Sequence, residues 1–253
     1  MQINSINSSN YNRQPTFGYW RRETVVKGKG IFRNDTLFFR EQNFFPMLTK
    51  FFSEKFKNVP KVNVYSFGCS DGSEPFTFAM RMLTMKDEPN PQKFFPIIAR
   101  DIDPVAIKKA INNDYQIIKN EKDYIDHFTF GQYDRFFYQP YGEPLSNKEG
   151  TQVFVKNELY DHVDFNVGDI FKDYKKVKQN NTVLMAMNFW PYIDSFTRKC
   201  FFRDLYNHLG SGSYFVTGEF DHRGIAWNLG DLHYELSNVG FKQTPLMYVY
   251  VKE

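Results

Sequence analysis

Val62-Asn63-Val64-Tyr65-Ser66-Phe67-Gly68-Cys69-Ser70-Asp71-Gly72-Ser73-Glu74-Pro75-Phe76-Thr77-Phe78-Ala79-Met80 is the stretch on which the fold turns. From Val62 to Phe67, valine and aromatic residues alternate with smaller polar ones, the pattern of a strand with β-branched content. Gly68 and Gly72 bracket a loop where the backbone bends without a Cβ penalty. Ser73 can cap a helix, Glu74 suits its positive start and Pro75 fits its first turn. Phe76, Ala79, Met80 and Leu83 then recur at helical spacing along one face. The stretch reads as strand, glycine loop and helix.

Such a loop at the carboxyl end of a strand is where open α/β sheets bind nucleotide-like ligands. Phe95-Pro96-Ile97-Ile98-Ala99-Arg100 reads as a second strand closed by Asp101, about thirty residues on, so the unit is βαβ ending in an acid suited to ribose hydroxyls. Glu74 places a second carboxylate nearer the loop. With only two glycines the loop is not the GxGxxG of dinucleotide sites, which favours a nucleoside ligand without phosphate.

The rest of the chain extends this α/β pattern. Val163–Val167, Thr182–Met187, Gly212–Gly218 and Leu246–Val251 read as further strands. Helices are expected over Ser195–Leu209, with Phe196, Phe202, Leu205 and Leu209 inward, and over Leu229–Val239. Val105, Ile107, Ala110 and Ile111 make a short amphipathic helix after Pro104, and Leu48, Phe51 and Phe52 face inward from another. Asn34 or Thr36 can cap a helix holding Phe38, Phe39 and Arg40. The paired phenylalanines at 38–39, 44–45, 51–52, 94–95, 136–137 and 201–202 read as core. Together the elements imply a doubly wound α/β sheet.

Composition narrows the function. No apolar run, including the stretch around Val183 to Trp190, is long enough to span a bilayer, and mean hydropathy is −0.55. Residues 1–28 form a polar arm expected to be disordered or loosely packed, and residues 29–253 the folded domain. The amino terminus lacks the basic and apolar regions of a signal peptide, so a cytoplasmic location is expected. Cys69 and Cys200 suggest no disulfide scaffold, and the histidines show no metal spacing, so no metal is expected. A net charge of +3 is too small to argue for nucleic acid. In the first sixty residues, however, Lys and Arg outnumber Asp and Glu by ten to four, densest between Arg13 and Arg33. Such an arm is either a solvated face or a dock for an acidic partner.

The wording of three motifs is more specific than their spacing. Gly68-Cys69-Ser70-Asp71-Gly72-Ser73-Glu74-Pro75-Phe76-Thr77 resembles the methyl-donor loop of CheR-type methyltransferases, the S-adenosylmethionine-dependent enzymes that esterify glutamates on chemotaxis receptors. Asn34-Asp35-Thr36-Leu37-Phe38-Phe39-Arg40-Glu41, with Phe44-Phe45-Pro46, is similar to that family's entry motif, and Ala99-Arg100-Asp101-Ile102-Asp103-Pro104 to its second-strand signature. The resemblance runs from about residue 30 to the end, in the family's order.

What the resemblance implies is a Rossmann-like methyltransferase domain, with a small β-subdomain inserted at about 124–162. Its cofactor is S-adenosylmethionine. Glu74 and Asp101 take the donor's hydroxyls or amino group, and Asn188 lies near its methionine part. Asp169 and Ile170 stand where the family has an asparagine-leucine pair at adenine; aspartate accepts there but cannot donate. Asn34, Thr36, Arg40, Gly68 and Phe189 complete the implied donor set. Arg40 and Tyr192 are the implied catalytic residues, holding a carboxylate that is already ionised near neutral pH. The implied partner is a protein acceptor bearing glutamates, such as a chemoreceptor helix, and the enzyme is expected to be a monomer. Alternatives are a small molecule or other nucleophile, or a scaffold that binds the donor without turnover. The chain departs from the family twice. Relatives carry a helical domain before the entry motif, where only about thirty mostly polar residues stand here. The family's glycine-histidine-serine-glutamate run is replaced by Gly218-Glu219-Phe220-Asp221.

Overall fold

The computed structural model describes residues 23–26, 30–33, 36–41, 43–140, 142, 145–146, 150–223 and 232–253. In chain order the strands and helices are β1 (Glu23–Val26), β2 (Gly30–Arg33), α1 (Phe44–Lys55), β3 (Asn63–Phe67), α2 (Ser73–Thr84), β4 (Ile97–Asp101) and α3 (Pro104–Asn112). Next come β5 (Asp114–Ile117), α4 (Lys119–Thr129), α5 (Tyr133–Phe136), β6 (Phe137–Tyr138), β7 (Thr151–Val155), α6 (Asn157–Tyr160), β8 (Val163–Val167) and α7 (Ile170–Asp173). The chain closes with β9 (Thr182–Met185), α8 (Ser195–His208), β10 (Tyr214–Val216), α9 (Glu219–Arg223), α10 (Leu232–Asn238), β11 (Lys242–Gln243) and β12 (Val249–Val251).

A seven-stranded sheet in the order β11-β12-β10-β9-β3-β4-β8 organises the molecule. β10, β9, β3, β4 and β8 run parallel, while β12 is antiparallel to β10. The period of two along each strand sends alternate residues to opposite faces. Val64, Val183, Met185 and Val216 join Leu48, Phe52, Phe76 and Met80 of α1 and α2 on one face. Tyr65, Phe67, Leu184 and Phe215 join Phe202, Leu205, Leu232 and Leu236 of α8 and α10 on the other. Covered on both faces, the sheet is doubly wound, and the parallel register brings the ends of β3, β4, β8, β9 and β10 to one edge. Among the described residues, no helix is long and apolar enough to cross a membrane.

Several details differ from the sequence reading. No helix forms at 36–41, where the backbone bends and turns; a buried glutamate, Glu121, takes the Phe38 amide at 3.1 Å instead. Glu23–Val26 of the expected arm pairs antiparallel with Gly30–Arg33 in a two-stranded ribbon. A separate three-stranded sheet, β5-β7-β6, includes β5, which lies before residue 124, because Asp114–Ile117 pairs with residues 151–154. Ser73 is not the cap of α2: Gly72, at φ +91°, holds that place, and the Ser73 hydroxyl donates to Asp71 at 2.7 Å. On α8, Phe196 is 78% exposed and Phe201 takes its place in the core, while Val105 and Ile111 of α3 also face solvent. The phenylalanine pairs are core, with Phe51 partly covered.

Candidate functional site

The glycine loop is shaped by two close approaches. Gly68 has φ +75°, and a Cβ there would lie 2.8 Å from the Phe189 ring. Gly72 has φ +91°, and its Cβ would lie 2.6 Å from Phe165. Both a left-handed backbone and the space of a missing side chain are needed, which only glycine supplies. The loop is fastened to the end of β4, as the Gly68 and Cys69 amides donate to the Arg100 carbonyl at 2.8 and 3.2 Å. Cys69 is buried, and its thiol is pushed well above the ordinary range by desolvation and by the carboxylates around it. It is an inert packing group rather than a nucleophile.

Asp101 is buried at the end of β4, where its carboxylate accepts from the Ser70 amide at 2.7 Å and the Asp103 amide at 2.8 Å. Burial raises it to about 6 against these hydrogen bonds. Asp101 therefore shapes the loop from within as well as facing the strand ends. Glu74, in the first turn of α2, accepts from the Ser66 hydroxyl at 2.8 Å. Desolvation pushes it up to about 8, helped by the charges of Glu41 and Asp221 and opposed by Arg40.

Those neighbours come from elsewhere in the chain. Glu41 Oε1 accepts from the Asn188 side-chain amide and from the Glu219 backbone amide, each at 3.0 Å. Asn188, held at φ +66°, donates its own backbone amide to Asp221 at 2.7 Å. Asp221 also accepts from Gly218 at 2.7 Å and Trp190 at 3.0 Å, and burial raises it to about 7. The Phe220 amide donates to Asn188 Oδ1 at 3.2 Å. The altered run after β10 is thus a knot joining the β9 end, the β10 end and the entry segment. Among the described residues, two polar atoms are buried without a partner here: Glu41 Oε2 and the Ser70 hydroxyl in the glycine loop. Orphaned buried acceptors beside a surplus of carboxylates fit a ligand with cationic groups and hydroxyls.

The remaining predicted residues divide by position. Arg40 is exposed and lies within the electrostatic reach of Glu41 and Glu74. Tyr192 sits in a 3₁₀ turn with its ring 6.2 Å from Phe220. That turn is clamped by the buried Arg198, which donates to the Ile193 carbonyl at 2.7 Å and pairs with Glu235 at 2.7 Å. Phe189 packs on Trp190 with ring centroids 4.5 Å apart. Asp169 caps α7, accepting from the Phe171 amide at 3.1 Å, and Ile170 is buried. Thr36 instead lines a cleft of about 500 Å³ with Asp71, Lys109, Tyr115 and Glu121, which Glu74, Asp101, Asp169 and Asn188 do not border. Asn34 lies outside the described residues. Among the described residues, no group of three or more His, Cys, Asp or Glu is placed to hold a metal ion.

Three features escaped the sequence reading. Glu41 was one letter of a motif, Asp221 part of a run noted for what it lacks, and Glu121 an acid in a polar helix. Only the hydrophobic staging around each could have drawn notice, and that staging comes from distant segments.

The family model described as CheR methyltransferase, SAM binding domain, matches residues 34–222. No curated protein matches the chain. Solved structures that resemble it include a magnesium protoporphyrin IX methyltransferase (ChlM) from Synechocystis PCC 6803 with bound SAH, 11% identical with a TM-score of 0.41, covering 83% of this chain and 80% of that one. A TehB-like SAM-dependent methyltransferase from Corynebacterium glutamicum is 14% identical with a TM-score of 0.38, covering 82% and 100%. A putative O-methyltransferase from Nostoc punctiforme PCC 73102 is 13% identical with a TM-score of 0.42, covering 83% and 55%.

Proposed function

The chain belongs to the CheR methyltransferase family, and we propose that this S-adenosylmethionine-dependent enzyme O-methylates glutamate carboxylates on a protein acceptor. The observation that carries the acceptor reading is the exposed Arg40 beside the carboxylates of the donor site. An anionic acceptor brought beside the acids Glu41, Glu74 and Asp221 needs a cation to hold it, and a guanidinium can hold a carboxylate by two parallel hydrogen bonds.

When bound, S-adenosylmethionine supplies a methyl group activated by its sulfonium. Glu74 and the strand-end acid Asp101 would hold its polar groups, with Asn188 beside its methionine part and Gly68 and Phe189 forming the adjoining wall. Asp169 and Ile170 would border the adenine. On the acceptor side, Arg40 would fix the carboxylate and Tyr192 would offer its hydroxyl. An acceptor glutamate in water is ionised above about pH 4.3, so no general base is required. The task left to the protein is to hold the carboxylate in line with the methyl at about 3 Å, with water excluded.

The test is incubation with methyl-labelled donor and candidate acceptor proteins, followed by mild alkali. Label released as volatile methanol supports the carboxylate ester. Label that survives alkali identifies another nucleophile, and no transfer to any acceptor despite donor binding identifies a scaffold.

A further inference from the structure

Glu41 uses one carboxylate oxygen for architecture and leaves the other unused. Oε1 takes the Asn188 and Glu219 amides at 3.0 Å each, tying the entry segment to the ends of β9 and β10. Oε2 is fully shielded from solvent and has no hydrogen-bond partner among the described residues. A buried carboxylate oxygen without a donor is costly unless a cation comes to it. The groups whose charges act around it are Glu74 and Asp221, which both feel Glu41, with Glu219 and Arg40 acting on Glu41 itself. Among the described residues, Glu74, Asp221 and Glu219 thus add negative charge around Glu41, and Arg40 opposes them. Loop-holding alone would be served by a neutral acceptor such as glutamine, so the charge calls for a separate reason.

We propose that Glu41 is a donor-specificity residue, whose free carboxylate oxygen and neighbouring acids make the site distinguish the cationic sulfonium donor from its neutral thioether product. S-adenosylmethionine carries one positive charge more than S-adenosylhomocysteine, and the two otherwise differ by a methyl group. A surplus of negative charge at the site therefore favours the donor and helps release the product. The inference rests on the placement of the donor at this strand edge.

The experiment is calorimetric binding of both ligands to wild type, Glu41→Gln and Glu41→Asp at pH 8.5 and low salt. Glutamine keeps the Oε1 acceptor and removes the charge. We expect S-adenosylmethionine to bind Glu41→Gln about tenfold more weakly, while S-adenosylhomocysteine changes by less than about threefold. Glu41→Asp should restore most of the ratio. Equal losses for both ligands would reduce Glu41 to a structural tie, and no loss for either would remove it from the site. Should Glu41→Gln not melt cooperatively, the wild type decides. Its preference should move toward S-adenosylmethionine between pH 6 and pH 8.5, as Glu74, raised to about 8, and Asp221, raised to about 7, ionise beside Glu41, with Glu219 and Arg40 also facing the group and Cys69 still a thiol. A ratio that does not change with pH overturns the proposal. Wild type that binds neither ligand refutes the donor placement itself, a different outcome.

Discussion

Replacing Glu74 by glutamine should stabilise the donor-free protein and at the same time weaken its hold on the donor. Glu74 is pushed from its ordinary 4.5 up to about 8, chiefly by burial. At pH 7 the folded protein keeps it protonated while the unfolded chain ionises it, so folding must take up a proton. The penalty is the distance from 4.5 to 7 at about 1.36 kcal/mol per unit, roughly 3.4 kcal/mol at most. Because the folded value lies above the unfolded one, the associated stability is full below about pH 4.5 and is lost as pH rises through about 8. Asp221, at about 7, and Asp101, at about 6, titrate in the same sense. Glutamine has no proton to gain, and its carbonyl can still accept from the Ser66 hydroxyl. Urea denaturation at pH 5, 7 and 8.5 should show wild type weakening with pH and Glu74→Gln weakening less, gaining about 1–3 kcal/mol at pH 7. At pH 8.5, where wild-type Glu74 is ionised, the same variant should bind S-adenosylmethionine about ten- to a hundredfold more weakly, having lost a charge-assisted contact. Parallel pH slopes for the two proteins would show that Glu74 is not desolvated in the folded state and would refute the reasoning.

Gly72→Ala places a Cβ 2.6 Å from Phe165 at φ +91°; we expect about 2–4 kcal/mol of destabilisation, read as a lowered melting temperature. Arg198→Met leaves Glu235 charged and unpaired in the core, 1% exposed at its side chain, and should cost about 3–5 kcal/mol, most of it recovered when Glu235→Leu is added. Arg40→Ala and Tyr192→Phe should hold donor affinity within about threefold while slowing methyl transfer about ten- to a hundredfold, measured with a verified acceptor. Turnover at the wild-type rate in both would remove these residues from the acceptor side.

The βαβ unit around Gly68 and Gly72 was legible because its signals are local. Alternation, glycines and helical spacing act over a few residues, and each survives whatever packs nearby. The same holds for Asp103 and Pro104 opening α3, where the Asp103 side chain accepts from the Val105 amide at 2.9 Å. Local signals failed where neighbours decided the outcome. Phe38, Phe39 and Arg40 have helical company in sequence, yet the Glu121 carboxylate and the Thr77 hydroxyl capture the Phe38 and Phe39 amides, each at 3.1 Å. Phe196 stands on a helix whose inward face is set by the Arg198–Glu235 pair and the Trp190 cluster, so Phe201 is buried and Phe196 is not.

By itself, the sequence determined that a doubly wound sheet forms, where its glycine loop lies and which acids end its strands, since these follow from periodicity and backbone stereochemistry within short windows. Only the tertiary structure decided that Glu41, Asn188 and Asp221 meet, across 147 residues in one case and 33 in the other. It alone decided that Glu74 rises to about 8 and Asp221 to about 7. Desolvation and charge coupling depend on which segments exclude water from a carboxylate, and those segments are brought together by packing across the whole sheet edge.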